Sequence, residues 1–268
     1  MISTHPLLPK LKQLKLSGML NTLELRAEQA SLEQLSPLEF FALLLDDELE
    51  RREQNRLAYH LGISGCSPSK TLSQYDFSAV SGVNRSFITD LATCAFIPRH
   101  ENVLFCGPTG VGKSHLANAL GVEALKHNFR VLSKSTYRLL AYLNAARASG
   151  SYHRILASIL RCDLLILDDF GLQSIPLVSI QDLYEIICDR YETGSIIVTS
   201  NLAFEEWAEI FQNDLFSSAA LDRLTHHAHS LIIQGKAIAR FLAERRQSKT
   251  LNYKFVSSSC NHPPDHEW

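Results

Sequence analysis

The chain lacks the features that would take it out of water. No apolar run approaches the roughly 20 residues that a membrane-spanning helix needs. The first residues, Met1-Ile2-Ser3-Thr4-His5-Pro6, carry neither the basic nor the apolar segment of a secretory leader, so the expected location is the cytoplasm. There is no Cys-x-x-Cys pair. The six cysteines, Cys66, Cys94, Cys106, Cys162, Cys188 and Cys260, are scattered, several of them inside apolar stretches. This speaks against zinc sites and disulfide scaffolds and for buried free thiols. Neither sign of charge dominates: the net charge is −2, which gives no global signal for a nucleic-acid partner. No internal repeat is visible.

What is present is ample material for a core, 46% hydrophobic residues in a chain of 268. Charge is uneven in two places. Between Asp222 and Lys254 basic residues outnumber Asp222 and Glu244, and Lys10, Lys12 and Lys15 form a second cluster. Each can contact phosphates, and each can equally be a solvated helix face. Residues 6 to 60 read as helical, with Leu7, Leu11, Leu14, Met19, Leu23, Phe40, Leu43 and Leu44 at helix-compatible intervals. Ser36, Pro37 and Glu39 have the order of an N-cap, a first helical residue and a capping-box partner. A Gly, Ser and Pro-rich stretch from Gly62 to Ser73 then interrupts the pattern. Beyond it, apolar runs at Val103 to Cys106, Arg130 to Lys134, Leu164 to Asp168, Ser195 to Ser200 and Ser230 to Gln234 alternate with helical stretches. That alternation predicts an α/β fold with a five-stranded parallel sheet flanked by helices. The expected domains are a small helical one over 1–68 for DNA or partner contact, the α/β domain over 69–254, and a disordered tail over 255–268.

The first of these runs leads into Gly107-Pro108-Thr109-Gly110-Val111-Gly112-Lys113-Ser114, which fills every fixed position of the phosphate-binding loop G-x-x-x-x-G-K-[ST]. Glycines let the backbone curl with its N–H groups toward phosphate oxygens, and a helix predicted over Lys113 to His127 adds its positive end. Lys113 reaches the β/γ-phosphates and Ser114 holds Mg²⁺. About fifty residues on, Leu164-Leu165-Ile166-Leu167 ends in Asp168 and Asp169, the first suited to a Mg²⁺-bound water and the second to activating the attacking water. Ser195 to Ser200 ends in Asn201, whose amide suits the γ-phosphate or that water, on a strand expected between the other two. Arg223 follows a predicted helix in Ala219-Ala220-Leu221-Asp222-Arg223-Leu224. His226, His227 and His229 share no single helical face, and no acidic or cysteine ligand is close by, so they make a poor metal set.

With these motifs the chain resembles the IstB-like ATP-binding proteins, helper ATPases of bacterial insertion sequences, and more distantly the DnaC-type helicase loaders, all of the AAA+ class. The resemblance spans nearly the whole chain. It includes Leu14 to Met19, the connector Lys70 to Phe77, Glu101-Asn102-Val103, His115-Leu116-Ala117, Leu164 to Gly171, Arg190-Tyr191-Glu192, Thr199 to Leu202, Glu206-Trp207 and Leu221 to Leu224 with the histidines after it. It implies that Gly107 to His115 bind ATP, Ser114 and Asp168 serve Mg²⁺, Asp169 assists hydrolysis, Asn201 is a sensor and Arg223 is a finger reaching a neighbouring subunit. It also implies ATP-dependent self-assembly on double-stranded DNA and recruitment or stimulation of a cognate transposase. A helicase loader and a nucleotide-switched DNA-binding module with little turnover are the alternatives. The family departs from this chain at two points: Asp169 stands where many AAA+ proteins carry Glu, and Arg240 lies in Gly235-Lys236-Ala237-Ile238-Ala239-Arg240, which lacks the usual Gly-x-Ser-Tyr-Arg pattern of a second sensor.

Overall fold

The computed structural model describes residues 6–173, 175–211 and 214–235. Arg240, Cys260 and the tail expected over 255–268 lie outside them. The chain divides into two compact units, one ending at Ile63 and the other beginning at Ser64. Among the described residues no helix is long and apolar enough to cross a membrane.

The first unit is helical: α1 (Leu7–Gln13), α2 (Ser17–Glu33) and α3 (Pro37–Ser64). The capping box closes, with Ser36 N–H donating to Glu39 Oε2 at 2.7 Å and Glu39 N–H to Ser36 Oγ at 3.3 Å. Met19, Leu23 and Leu44 form the core, with Leu8, Leu11, Leu16 and Phe40 against it. Gly18 sets how close α2 and α3 approach, because a Cβ there would stand 2.5 Å from Glu48 Cα. The gap is sealed by the Gly18 N–H, which donates to buried Glu48 Oε2 at 2.7 Å, an anion at a helix N-terminus. Arg26 closes the pair by donating to both oxygens of Asp47 at 2.9 and 2.7 Å.

The second unit runs β1 (Val80–Ser81), α4 (Arg85–Ala92), β2 (Asn102–Cys106), α5 (Lys113–Lys126), β3 (Val131–Ser135), α6 (Thr136–Ala148), α7 (Tyr152–Leu160) and β4 (Leu164–Phe170). It continues with α8 (Leu177–Arg190), β5 (Ser195–Ser200), α9 (Trp207–Ile210), α10 (Asp214–Thr225), β6 (Ala228–Ile232) and β7 (Gln234–Gly235). Five strands form one parallel sheet in the order β3-β4-β5-β2-β6. Val103, Leu104, Phe105, Leu164, Leu165, Ile197 and Val198 are wholly buried, as strands covered by helices on both faces must be, which is why they read as unbroken apolar runs. All five predicted runs are strands. The last is displaced: pairing of Asn102 with Ala228 sets its start, and it ends at Ile232. The chain then turns so that Gln234-Gly235 pairs antiparallel with Val80-Ser81, a small sheet no local pattern announces.

One cation holds the amino ends of two strands together. Arg190 is buried without a carboxylate, and its guanidinium donates to the carbonyls of Ile159, Cys162, Asp163 and Ser195. Burial pulls its pKa below the ordinary arginine range. A planar five-donor fork suits this task in a way a lysine ammonium does not. Cys66, Cys94, Cys106 and Cys162 are buried free thiols and Cys188 is partly exposed.

Candidate nucleotide site

The loop between β2 and α5 is shaped by its glycines. Gly107 lies against the chain after β6, where a Cβ would stand 2.1 Å from the Ile233 carbonyl oxygen. Gly110 and Gly112 have φ of 86° and 90°, a left-handed backbone that side chains disfavour. Pro108, Thr109 and Gly110 form the exposed crest, while Val111 is buried and its carbonyl accepts the Tyr75 hydroxyl at 3.0 Å. Lys113 opens α5 and is buried to 6% exposure. Its ammonium donates to the carbonyls of Gly107 and Pro108 at 2.7 and 2.8 Å and to Asn201 Oδ1 at 2.7 Å. Burial lowers its pKa, opposed by Asp169, Cys106 and Asp168.

The two carboxylates owe their placement to a break in the sheet. In a regular strand successive side chains point to opposite faces. Here the β4 to β5 register shifts between Leu167 and Phe170, and Asp169 takes φ 55° inside the shift. Aspartate tolerates that conformation better than most residues. Thr199 of β5 fixes the geometry: its Oγ1 donates to Asp168 Oδ1 and accepts the Asp169 N–H at 3.1 Å. Thr136 Oγ1 donates to the Asp168 carbonyl at 3.1 Å. Burial and then the neighbouring Asp168 charge raise the Asp169 pKa above the usual carboxylate value, with Lys113 and Lys70 holding it back. Ser114, Asp168 and Asp169 line one cleft of about 590 Å³, together with Lys70, Ser133 and Gln173.

The predicted site residues therefore sort into two places. Lys113, Ser114, Asp168, Asp169 and Asn201 meet at the carboxyl edge of the sheet. β5, which Asn201 follows, lies between β4 and β2 as expected. His115 is turned aside, its Nε2 at 2.8 Å from the Thr71 carbonyl oxygen. Arg223 is at the other end of the sheet, and it sits inside the last turn of α10 rather than after a helix. Asn102, the first residue of β2, donates from Nδ2 to the carbonyls of Arg223 and Leu224 at 3.3 and 3.1 Å. The Arg223 guanidinium donates to the Ala219 carbonyl at 2.7 Å and lies 5.9 Å from the Tyr191 ring, facing an open groove shared with His226. Of the three histidines only His229 parts from the others, standing 2.9 Å from Glu101, while the rings of His226 and His227 lie 4.0 Å apart and His226 is 2.9 Å from the Tyr191 hydroxyl. Among the described residues no group of three His, Cys, Asp or Glu side chains is disposed to hold a metal.

Motif reading missed Thr199 and Asn118. Thr199 had a signal, the polar end Thr199-Ser200-Asn201 on an apolar strand. Asn118 had none. From the second turn of α5 its Oδ1 accepts the Ser67 N–H at 2.7 Å, while its Nδ2 donates to the carbonyls of Ser67 and Lys70 at 2.9 and 3.0 Å, stitching the connector to the phosphate-loop helix.

A parallel sheet in this order, with a glycine loop on one inner strand and paired carboxylates on another, is the P-loop nucleotide-binding fold that AAA+ proteins share. Within that fold class the chain belongs to the IstB-like ATP binding protein family, whose pattern it matches over residues 9–248. It is 37% identical over 244 residues to an insertion-sequence ATP-binding protein of Sinorhizobium fredii, covering 91% of this chain and 99% of that one. It is 36% identical over 247 residues to the IS21 ATP-binding protein of Pseudomonas aeruginosa, covering 92% of each. In fold it is similar to the DnaC helicase loader, with a TM-score of 0.53 at 21% identity, over 62% of this chain and 98% of that one. It is likewise similar to the replication initiator DnaA bound to AMPPCP and single-stranded DNA, with a TM-score of 0.52 at 22% identity, over 62% and 51%.

Proposed function

We propose that the protein hydrolyses ATP, uses ATP to assemble on duplex DNA, and recruits or stimulates the transposase of its insertion sequence. The observation that carries the chemistry is the meeting of Lys113, Ser114, Asp168, Asp169 and Asn201, from three separate stretches of chain, at one sheet edge. The residues fit the group they would hold: left-handed Gly110 and Gly112 turn the loop's amides inward, and α5 adds its positive end. Ser114 and Asp168 have the hard oxygen donors that suit Mg²⁺, which when bound would neutralise charge on the β- and γ-phosphates. Lys113 would exchange its loop carbonyls for phosphate oxygens. Asp169, with its raised pKa, is suited to take a proton from water as the water oxygen bonds to the γ-phosphorus and the bond to the ADP oxygen breaks. The proton then passes to the released phosphate.

Arg223 lies at the opposite end of the sheet from its own loop, which supports a role on a neighbour's nucleotide and hence ATP-dependent self-association. The insertion-sequence names of the relatives support the transposase partnership. The test is steady-state ATP hydrolysis with and without duplex DNA, with Lys113→Ala as control. The reading requires a Lys113-dependent rate that duplex DNA raises. Stimulation by single strands alone favours a helicase loader, and no Lys113-dependent rate in any condition leaves a nucleotide-switched binding module.

A further inference from the structure

One stretch of the second unit carries charge of a single sign. Between Glu123 and Asp163, residues 124–162 contain no Asp or Glu and seven Lys or Arg, in a chain whose net charge is −2. Three of these cations are paired outside the stretch, Lys126 with Glu123, Arg130 with Asp163 and Arg147 with Asp182. Lys134, Arg138, Arg154 and Arg161 are exposed and have no ion-pair partner among the described residues.

The fold turns this excess into a track. Lys134 and Arg138 lie on β3, the edge strand, and the first turns of α6, and line the cleft that also holds Asp168 and Asp169. Lys134 also lines a second groove of about 350 Å³, whose other walls include Arg154, Ser158 and Tyr142 and no carboxylate. Its ammonium stands 6.0 Å from the Tyr142 ring. Cations, hydroxyls and exposed tyrosines thus run without interruption by acid from the carboxylate cleft outward over α6 and α7. Four exposed cations, unpaired among the described residues and with no acid between them in the sequence, suit an extended polyanion with regularly repeated charge.

We infer that Lys134, Arg138 and Arg154 hold the phosphodiester backbone of DNA along this surface. The inference rests on the DNA-assembly reading above and names its contact face. Because the track begins at the cleft of Asp168 and Asp169, DNA lying on it is positioned to influence hydrolysis.

The test uses the full chain with all three residues changed to Gln, in the presence of ATP. Binding of a short fluorescent duplex, and in a parallel arm of the corresponding single strand, is followed against salt concentration. Each lost phosphate contact removes about 0.9 from the slope of log affinity against log salt for duplex, so the slope should fall by about 2 to 3 and affinity by about tenfold or more at low salt. The circular dichroism spectrum and thermal unfolding midpoint of the variant should match those of the wild type, which shows that the variant is folded. A single-strand slope that falls while the duplex slope stays assigns the track to single strands. Unchanged slopes and affinities in both arms overturn the track and leave the DNA reading standing. If the wild type binds neither DNA, both fail. As a check independent of the variant, bound DNA should protect Lys134 of the wild type from acetylation. Full reactivity of Lys134 at saturating DNA overturns the proposal.

Discussion

Asp169 occupies a left-handed backbone position next to another carboxylate, so its charge and its backbone both bear on stability. A carboxyl whose pKa is raised in the folded protein binds its proton more tightly there than in the unfolded chain. Its contribution is therefore most favourable below the ordinary carboxylate pKa and is lost as pH rises through the folded value. Asp169→Asn removes that charge and keeps a side chain that tolerates φ 55°. The variant should melt higher than wild type near neutral pH, and the gain should vanish in acid. The same change should lower ATP hydrolysis by about 100-fold or more while leaving nucleotide binding in place. Thermal unfolding across pH and single-turnover hydrolysis test the two halves separately. Lys113→Ala should behave differently, losing nucleotide binding itself, which fluorescent-nucleotide titration reads directly.

Among the elements, α5 is the one on which the most depends. Its first residue serves the loop, and Asn118 one turn later holds three backbone groups of the connector. Asn118→Ala leaves those groups without partners and should cost about 2 kcal/mol. It should also speed amide exchange at Ser67, whose N–H loses its acceptor. In the first unit, Gly18→Ala drives a methyl into the α3 backbone and should destabilise the helix pair by about 1–3 kcal/mol, seen as faster exchange across α2 and α3. The strands and the phosphate loop were legible in the amino-acid sequence because both are local: an apolar run followed by glycines at fixed spacing needs no knowledge of distant residues. The β4 bulge and the Asn118 clamp were not, and of the Thr199 bridge only the polar end of its strand was visible. Each depends on partners 30 to 51 positions away, and a threonine or asparagine looks the same in sequence whether or not such a partner waits for it. The acid-free stretch was countable, but charge draws attention where cations crowd together, as in 222–254, rather than where anions are missing over a longer span.

For the whole molecule, the strongest expectation concerns more than one copy. If Arg223 acts on a neighbour, Arg223→Ala and Lys113→Ala should each abolish DNA-stimulated hydrolysis for different reasons. Mixing them in equal amounts should restore activity at about a quarter of the interfaces, those pairing an intact loop with an intact arginine. No recovery on mixing, with both variants folded and associating, removes Arg223 from that role.

The order of the strands also has a consequence for how the protein is made. The phosphate loop is translated early, yet Asn201, which receives the Lys113 ammonium, follows 88 residues later. Ile233, which walls Gly107, comes later still. At ordinary elongation rates of about 5–20 residues per second, Lys113 is joined to the chain roughly 4 to 18 s before Asn201. Nascent chains stalled short of β5 should therefore be blind to ATP although they contain the entire motif, and the capacity to bind nucleotide should appear abruptly, once β5 and Ile233 have been made.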